Sequence, residues 1–324
     1  MMTLEILTSY VPQKRLEVER EYQRLGLTQN EARVFNRMYE LTHCPVEEGS
    51  EEEMLLKPCK ELFQQVPHIK QEIVLLVYAH TGTISSVWGQ NMASLLVRRL
   101  QLPNAVAIGT SSNNCVSIFS ALSLAKHYLQ NALPNSKALI VVGEIADSFE
   151  LRIVPNVAVI GDASAAALFS LNGQGSSILA HSIHTYPRYS QGIWLPTHSD
   201  AYRDFTANYQ LRLQSVIQDV LQQADITIDE ISYIIPHNVN ILIWRRAAKF
   251  MNIPIEKIFL KNISETAHCF GADMLINLHA LKNSGALHSG DKILLVSAGV
   301  GGLFGASLLL YSQLTRSGCR SCRL

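Results

Sequence analysis

Two distant stretches of this chain read alike, and together they restrict the fold more than any single residue does. Val157-Ala-Val-Ile-Gly-Asp-Ala-Ser-Ala-Ala-Ala-Leu-Phe-Ser170 passes through a turn of small residues into an apolar strand. Lys292-Ile-Leu-Leu-Val-Ser-Ala-Gly-Val-Gly-Gly-Leu-Phe-Gly-Ala-Ser-Leu-Leu-Leu-Tyr311 has the same plan of strand, small-residue turn and strand. Each closes a series of apolar runs alternating with helical ones, the signature of a sheet covered on both faces. In the first series, 72–80, 104–109 and 137–143 read as strands and 115–129 as a helix. In the second, 231–235 and 257–260 read as strands and 210–224, 241–250 and 272–282 as helices. A weak repeat of about 150 residues predicts two similar α/β lobes, which we place at residues 1–172 and 173–324.

Composition narrows the function. The 324 residues include 27 basic and 27 acidic ones, with 48% hydrophobic and 17% charged, so the basic excess of a nucleic-acid binder is missing. So many apolar residues suit extensive burial, a subunit interface included. No run approaches the length of a membrane span, and the first residues lack a signal-peptide pattern. We expect a cytoplasmic protein with no nucleic-acid or membrane partner. Six cysteines are too sparse for a disulfide framework, and they form no zinc spacing with the eleven histidines. No metal or cofactor is expected. Cys319-Arg-Ser-Cys322 lies in a basic tail rather than beside a βαβ unit. Residues 30–65, with the acidic run at 47–53, read as a helical excursion plus a solvated acidic loop.

Four places can carry chemistry. Cys115 falls where a strand-like run meets a helix-like one, and a helix N-terminus there would favour thiolate over thiol; the alternative is an inert buried cysteine. His237 follows Pro236 at the carboxyl end of a strand, where catalytic groups gather in α/β sheets, although a turn histidine would look the same. In Ser264-Glu-Thr-Ala-His268-Cys-Phe-Gly-Ala-Asp273, His268 can be catalytic or a helix-start cap. Asp273 can orient a histidine or serve as a first-turn acid, and Cys269 reads as filler. The glycine-rich turn around Val300 and Gly301 can bring backbone N–H groups towards a substrate and, with the Cys115 amide, hold an oxyanion. Residues 184–198, with Trp194, can cap a substrate tunnel or form a plain surface loop.

These parts resemble the type III β-ketoacyl-acyl-carrier-protein synthases of the thiolase-like condensing enzymes, from about residue 70 to 311. Four motifs carry the resemblance in order: the Cys115 turn, Gly161-Asp-Ala-Ser-Ala-Ala-Ala167, Pro236-His237-x-x-Asn240 and the glycine-rich ending. Lys137-Ala-Leu-Ile-Val-Val-Gly-Glu144 is also similar to a family strand that ends in glutamate. The resemblance implies a duplicated five-layer αβαβα fold, a homodimer and ping-pong chemistry through a cysteine thioester. It makes Cys115 the nucleophile and His237 a catalytic partner. His268 falls where the family usually has asparagine, giving a Cys-His-His set similar to that of the elongating enzymes. Asn240, Asp273 and Trp194 are substrate-side candidates.

The implied reaction loads an acyl group on Cys115 and then condenses it decarboxylatively with a malonyl-type extender. The alternatives are plain acyl transfer to a hydroxyl or amine, and a silent partner subunit. The family's coenzyme A-gripping tryptophan and arginine segment is not found near the N-terminus. An acyl carrier protein is therefore the expected donor ahead of acyl-CoA.

Overall fold

The computed structural model describes residues 1–82, 91–146 and 148–313. Cys319 and Cys322 lie outside these residues. Nine strands form one mixed sheet: β1 Met2–Tyr10, β2 Ile73–Ala79, β3 Val106–Thr110, β4 Lys137–Glu144, β5 Ala163–Leu171, β6 Ser176–Thr185, β7 Tyr233–Pro236, β8 Lys292–Gly299 and β9 Leu303–Leu310. Their spatial order is β7-β8-β9-β6-β1-β5-β4-β2-β3.

The repeat is written in this order. In the first half the sheet runs β3-β2-β4-β5-β1, with β3, β2 and β4 parallel and the remaining pairings antiparallel. In the second, β6, β7, β8 and β9 occupy the places of β1, β2, β4 and β5, again with one parallel and two antiparallel pairings. The place of β3 falls to Ile258, which makes only an isolated parallel bridge to Ile234. The strand expected at 257–260 is thus reduced to one bridge, because residues 255–257 form a 3₁₀ turn instead. β1 and β6 pair antiparallel and fuse the two halves.

Six larger helices complete the layers: α1 Glu51–Gln65, α2 Met92–Leu100, α3 Ser117–Gln130, α4 Asp200–Gln223, α5 Ile241–Met251 and α6 Asp273–Asn283. Alternate strand residues face different layers, as a twofold side-chain period requires. Ala138, Ile140 and Val142 of β4 and Ile293 and Leu295 of β8 enter a central core with α3 and α6. Leu139 and Val141 face α1 and α2, while Leu294 and Val296 face α4 and α5. The result is the expected five-layer αβαβα arrangement.

Three local readings change. The acidic run is not wholly loop: Glu51, Glu52 and Glu53 form the first turn of α1, closed by a Ser50–Glu53 capping box. Acids suit a helix N-terminus, which explains the clustering. Helix α4 begins ten residues before the expected Gln210, capped by Ser199. Central strands β1 and β6 fall where no strand was expected.

Beneath the site, Asp162 and Arg152 form a bidentate pair at 2.7 Å, with side chains 0% and 4% exposed. Asp162 also accepts from the Glu47 and Ala146 amides, so three chain segments meet on one carboxylate. Arg152→Ala leaves that charge buried without its partner. It should destabilise the protein by about 3–5 kcal/mol, read from urea unfolding.

Candidate active site

Cys115 lies in a one-turn 3₁₀ segment, 114–116, that runs directly into α3. The preceding Asn114 has φ +48°, a left-handed conformation that asparagine tolerates better than most residues. Its side chain donates to the Val300 carbonyl at 3.0 Å, and Ser297 Oγ donates to the Cys115 carbonyl at 3.2 Å. Gly299 packs closely on Asn113 and Asn114. The glycine-rich turn is therefore docked against the cysteine loop, with Gly301 and Gly302 at φ +89° and +80°.

His268 is held from its backbone outward. Its N–H donates to the Val159 carbonyl at 2.9 Å, and its own carbonyl accepts from the Gly161 amide at 3.0 Å. A Cβ at Gly161 would stand 2.4 Å from the Thr266 carbonyl oxygen, so the small-residue turn is what lets the histidine segment approach. Ala267, just before His268, has φ +50°. Left-handed residues thus precede both the thiol and the imidazole, backbone strain of the kind that gathers at functional sites.

The side chains converge. His268 Nε2 lies 3.3 Å from Cys115 Sγ, and its Nδ1 donates to Asp273 Oδ2 at 2.5 Å. Asp273 is fully buried and also accepts from the amides of Asn238, at 2.6 Å, and Cys269, at 2.7 Å. His237 sits with its ring centroid 6.0 Å from that of His268 and edge-on to Trp244, whose indole donates to the His237 carbonyl. His237 Nδ1 is buried and has no hydrogen-bond partner among the described residues.

The two imidazoles are driven apart electrostatically. Burial lowers the basicity of His268, but the charges of Asp273 and Cys115 outweigh it and raise the pKa to about 10. Burial, reinforced by the charge of His268, lowers His237 to about 3. At neutral pH His268 is an imidazolium facing sulfur, the partner a thiolate needs, and His237 is neutral. Thr81 Oγ1, at 3.9 Å, is a second donor to the sulfur.

Residues 221–311, which include both histidines, match the model of the 3-oxoacyl-[acyl-carrier-protein (ACP)] synthase III C-terminal region. The β-ketoacyl-[acyl-carrier-protein] synthase III of Aquifex aeolicus is 25% identical over 263 residues, covering 80% of this chain and 83% of the relative. That of Syntrophomonas wolfei is 24% identical over 241 residues, covering 68% and 71%.

Over most of its length the chain is similar to the β-ketoacyl synthase III enzymes of the thiolase-like condensing group.

Solved structures share its fold. The Aquifex aeolicus 3-oxoacyl-[acyl-carrier-protein] synthase III superposes with a TM-score of 0.80 at 23% identity, over 96% of this chain and 100% of that one. ChlB3, described as an acyltransferase, gives 0.85 at 18% identity, over 96% and 97%. Xanthomonas campestris OleA gives 0.78 at 15% identity, over 96% and 99%.

Not every candidate residue reaches the thiol. Asn240 is a helix cap: its side chain accepts from the Ile243 amide at 3.0 Å and donates to the Val157 carbonyl at 2.8 Å, so both ends are occupied. Asp273 stands behind His268 rather than on the substrate side. Trp194 is 81% exposed on the 192–194 turn. Its neighbours do reach the site's rim, since Gly302 packs on Tyr186 and Tyr189. Cys269 is buried filler, its thiol donating to the Thr266 carbonyl and pushed well up by burial.

Two neighbours carried no sequence signal. Tyr209 on α4 packs on Phe304 with centroids 5.4 Å apart, and burial, then the charge of Cys115, pushes its phenol up. Asn277 exchanges amide hydrogen bonds with Asn238 and donates to the Pro236 carbonyl, bracing the loop of His237.

The opposed pKa shifts predict the pH dependence of stability. His268 is raised above its ordinary 6.5, so its contribution is complete below about 6.5 and is lost as pH rises through about 10. His237 is lowered, so stability falls as pH drops from about 6.5 towards 3. Urea midpoints across this range should show both limbs. Asp273→Asn should remove the alkaline limb and slow Cys115 alkylation at neutral pH by about 10²-fold.

Proposed function

We propose that the protein loads an acyl group on Cys115 from a carrier-protein thioester and condenses it decarboxylatively with a malonyl-type extender. The observation that carries this reading is the convergence of Cys115, an imidazolium at 3.3 Å and a second, neutral imidazole whose buried Nδ1 has no partner among the described residues. The Cys115 thiolate attacks the donor carbonyl. The amides of Cys115 and of the Val300–Gly301 turn hold the oxyanion, a reading supported by the docking of that turn on Asn113 and Asn114. Collapse of the tetrahedral adduct expels the donor thiolate, which takes the proton of His268.

The extender's thioester oxygen then meets His237 and His268. Solvent returns a proton to His268 Nε2, and loss of carbon dioxide leaves an enolate stabilised by hydrogen bonds from the two rings, whose carbon attacks the acyl carbonyl. The C–S bond to Cys115 breaks, the new C–C bond forms, and the thiolate is regenerated.

One feature favours a second reading. Acylation removes the thiolate charge that helps to hold the proton on His268, while Asp273 continues to orient the ring. A neutral His268 in the acyl-enzyme is equipped to take a proton from a hydroxyl or amine, as in nucleophile–base–orienter sets. Plain acyl transfer is then the outcome.

Intact-protein mass spectrometry separates the readings. A panel of acyl-carrier proteins and acyl-CoAs should add one acyl mass to the wild type and none to Cys115→Ala. Discharge by malonyl-carrier protein with release of carbon dioxide supports condensation, whereas discharge only by a hydroxyl or amine supports acyl transfer. No adduct from any donor returns the silent-partner reading.

The quaternary and lobe assignments belong here too. We assign residues 1–172 to the lobe with the nucleophile and 173–324 to the lobe with the histidines, which the repeated strand order supports. A homodimer is supported by β3, an edge strand bonded among the described residues only to β2, with Val106 47% exposed. Val106→Glu should shift the protein towards monomer in light scattering at micromolar concentration.

A further inference from the structure

Glu144 ends β4 inside the protein, 7% exposed, with no cation as its partner among the described residues. Its two carboxylate oxygens accept from consecutive backbone amides, Thr81 N at 2.5 Å and Gly82 N at 2.8 Å. The same Thr81 places its hydroxyl 3.9 Å from Cys115 Sγ. Buried carboxylates are costly unless their acceptors are filled, and here both oxygens are filled by one short stretch of backbone. The sulfur therefore has two donors held by two carboxylates: His268 through Asp273, and Thr81 through Glu144.

We propose that Glu144 is a positioning residue for Cys115, its carboxylate fixing the Thr81–Gly82 backbone so that the Thr81 hydroxyl donates to the sulfur. The proposal rests on Cys115 being the nucleophile. It gives a chemical role to a glutamate that otherwise looks like the end of a buried strand.

The surroundings make this contact sensitive to pH. Burial raises Glu144 from 4.5 to about 7, against the lowering effect of the Gly82 and Thr81 donors, and Glu51 adds to the rise. Tyr78 of β2 faces the same region, donating to Glu51 Oε1 and to the Gly143 carbonyl, and His80 stacks on Tyr78. Beyond Thr81 stands the Cys115–His268 pair. The Thr81 hydroxyl also lies near enough to the carboxylate to lower its pKa, but the acceptor it reaches in geometry is sulfur. Above about pH 7 the ionised carboxylate accepts from both amides. Below it, the protonated oxygen gives up one of them and the Thr81 donor loosens.

The test is the rate of iodoacetamide alkylation of Cys115 by peptide mass spectrometry, from about pH 5.5 to 9, with folding checked by thermal melts. Buried Cys44 and Cys59, pushed up to about 12 by burial, are internal references for an unreactive thiol. The wild-type rate should rise about fivefold through pH 7, the worth of one modest hydrogen bond. Glu144→Gln should give the lower rate without the step. Thr81→Val, which keeps the amide donor, should do the same, and Thr81→Ser should restore the wild-type profile.

A step that persists in Glu144→Gln overturns the proposal, as does one that survives in Thr81→Val. If Glu144→Gln does not fold, the Thr81→Val and Thr81→Ser pair decides alone. A wild-type Cys115 no more reactive than Cys59 would instead refute the nucleophile assignment itself, a failure distinct from a reactive thiol indifferent to Glu144.

Discussion

The carboxylate of Asp273 is buried at the start of α6 and accepts hydrogen bonds from three places at once: the His268 ring, the Cys269 amide and the Asn238 amide. Through the first it keeps His268 charged opposite Cys115. Through the third it fixes the loop that carries His237. A buried anion needs such partners, so the groups that stabilise Asp273 are also the groups it orders. Chemistry and local stability at this site share one charge.

The scaffold keeps that arrangement from relaxing. Cys115 and His268 each follow a left-handed residue, which costs free energy unless neighbouring structure holds it. Asn114 is held by Val300 across the molecule, and the His268 backbone by Val159 and Gly161. Those holders belong to the two strand–turn–strand endings, one from each half. Duplication thus does more than double the core: each half supplies the turn that braces the other half's candidate catalytic residue. His268 is braced by the first half and Cys115 by the second.

The strands legible in sequence were the uniformly apolar ones. β2, β4 and β8 are buried on both faces and made almost wholly of aliphatic residues, so their runs are unbroken. β1 and β6 lie at the centre of the sheet yet were not expected. Buried Thr3, Thr8 and Ser176 interrupt their patterns, and Thr8 reaches the Pro58 carbonyl at 2.8 Å. A polar residue satisfied by a distant carbonyl looks like loop until that carbonyl is located. The site divides in the same way. Cys115, His237 and His268 stand at junctions between elements, where local sequence marks them. Asn240 occupies a similar junction but spends its side chain on a cap, a choice that depends on Val157 lying within reach.

What the sequence by itself determined was therefore the alternation, the repeat and the residues able to do chemistry, because periodicity and residue type are local properties. Tertiary structure alone decided which of them meet. The 3.3 Å approach of His268 to a thiol 153 residues away, the opposite shifts of two histidines, and the delivery of Thr81 by Glu144 all depend on burial and on charges brought together by folding. Protonation follows from surroundings, and no linear order of residues contains them.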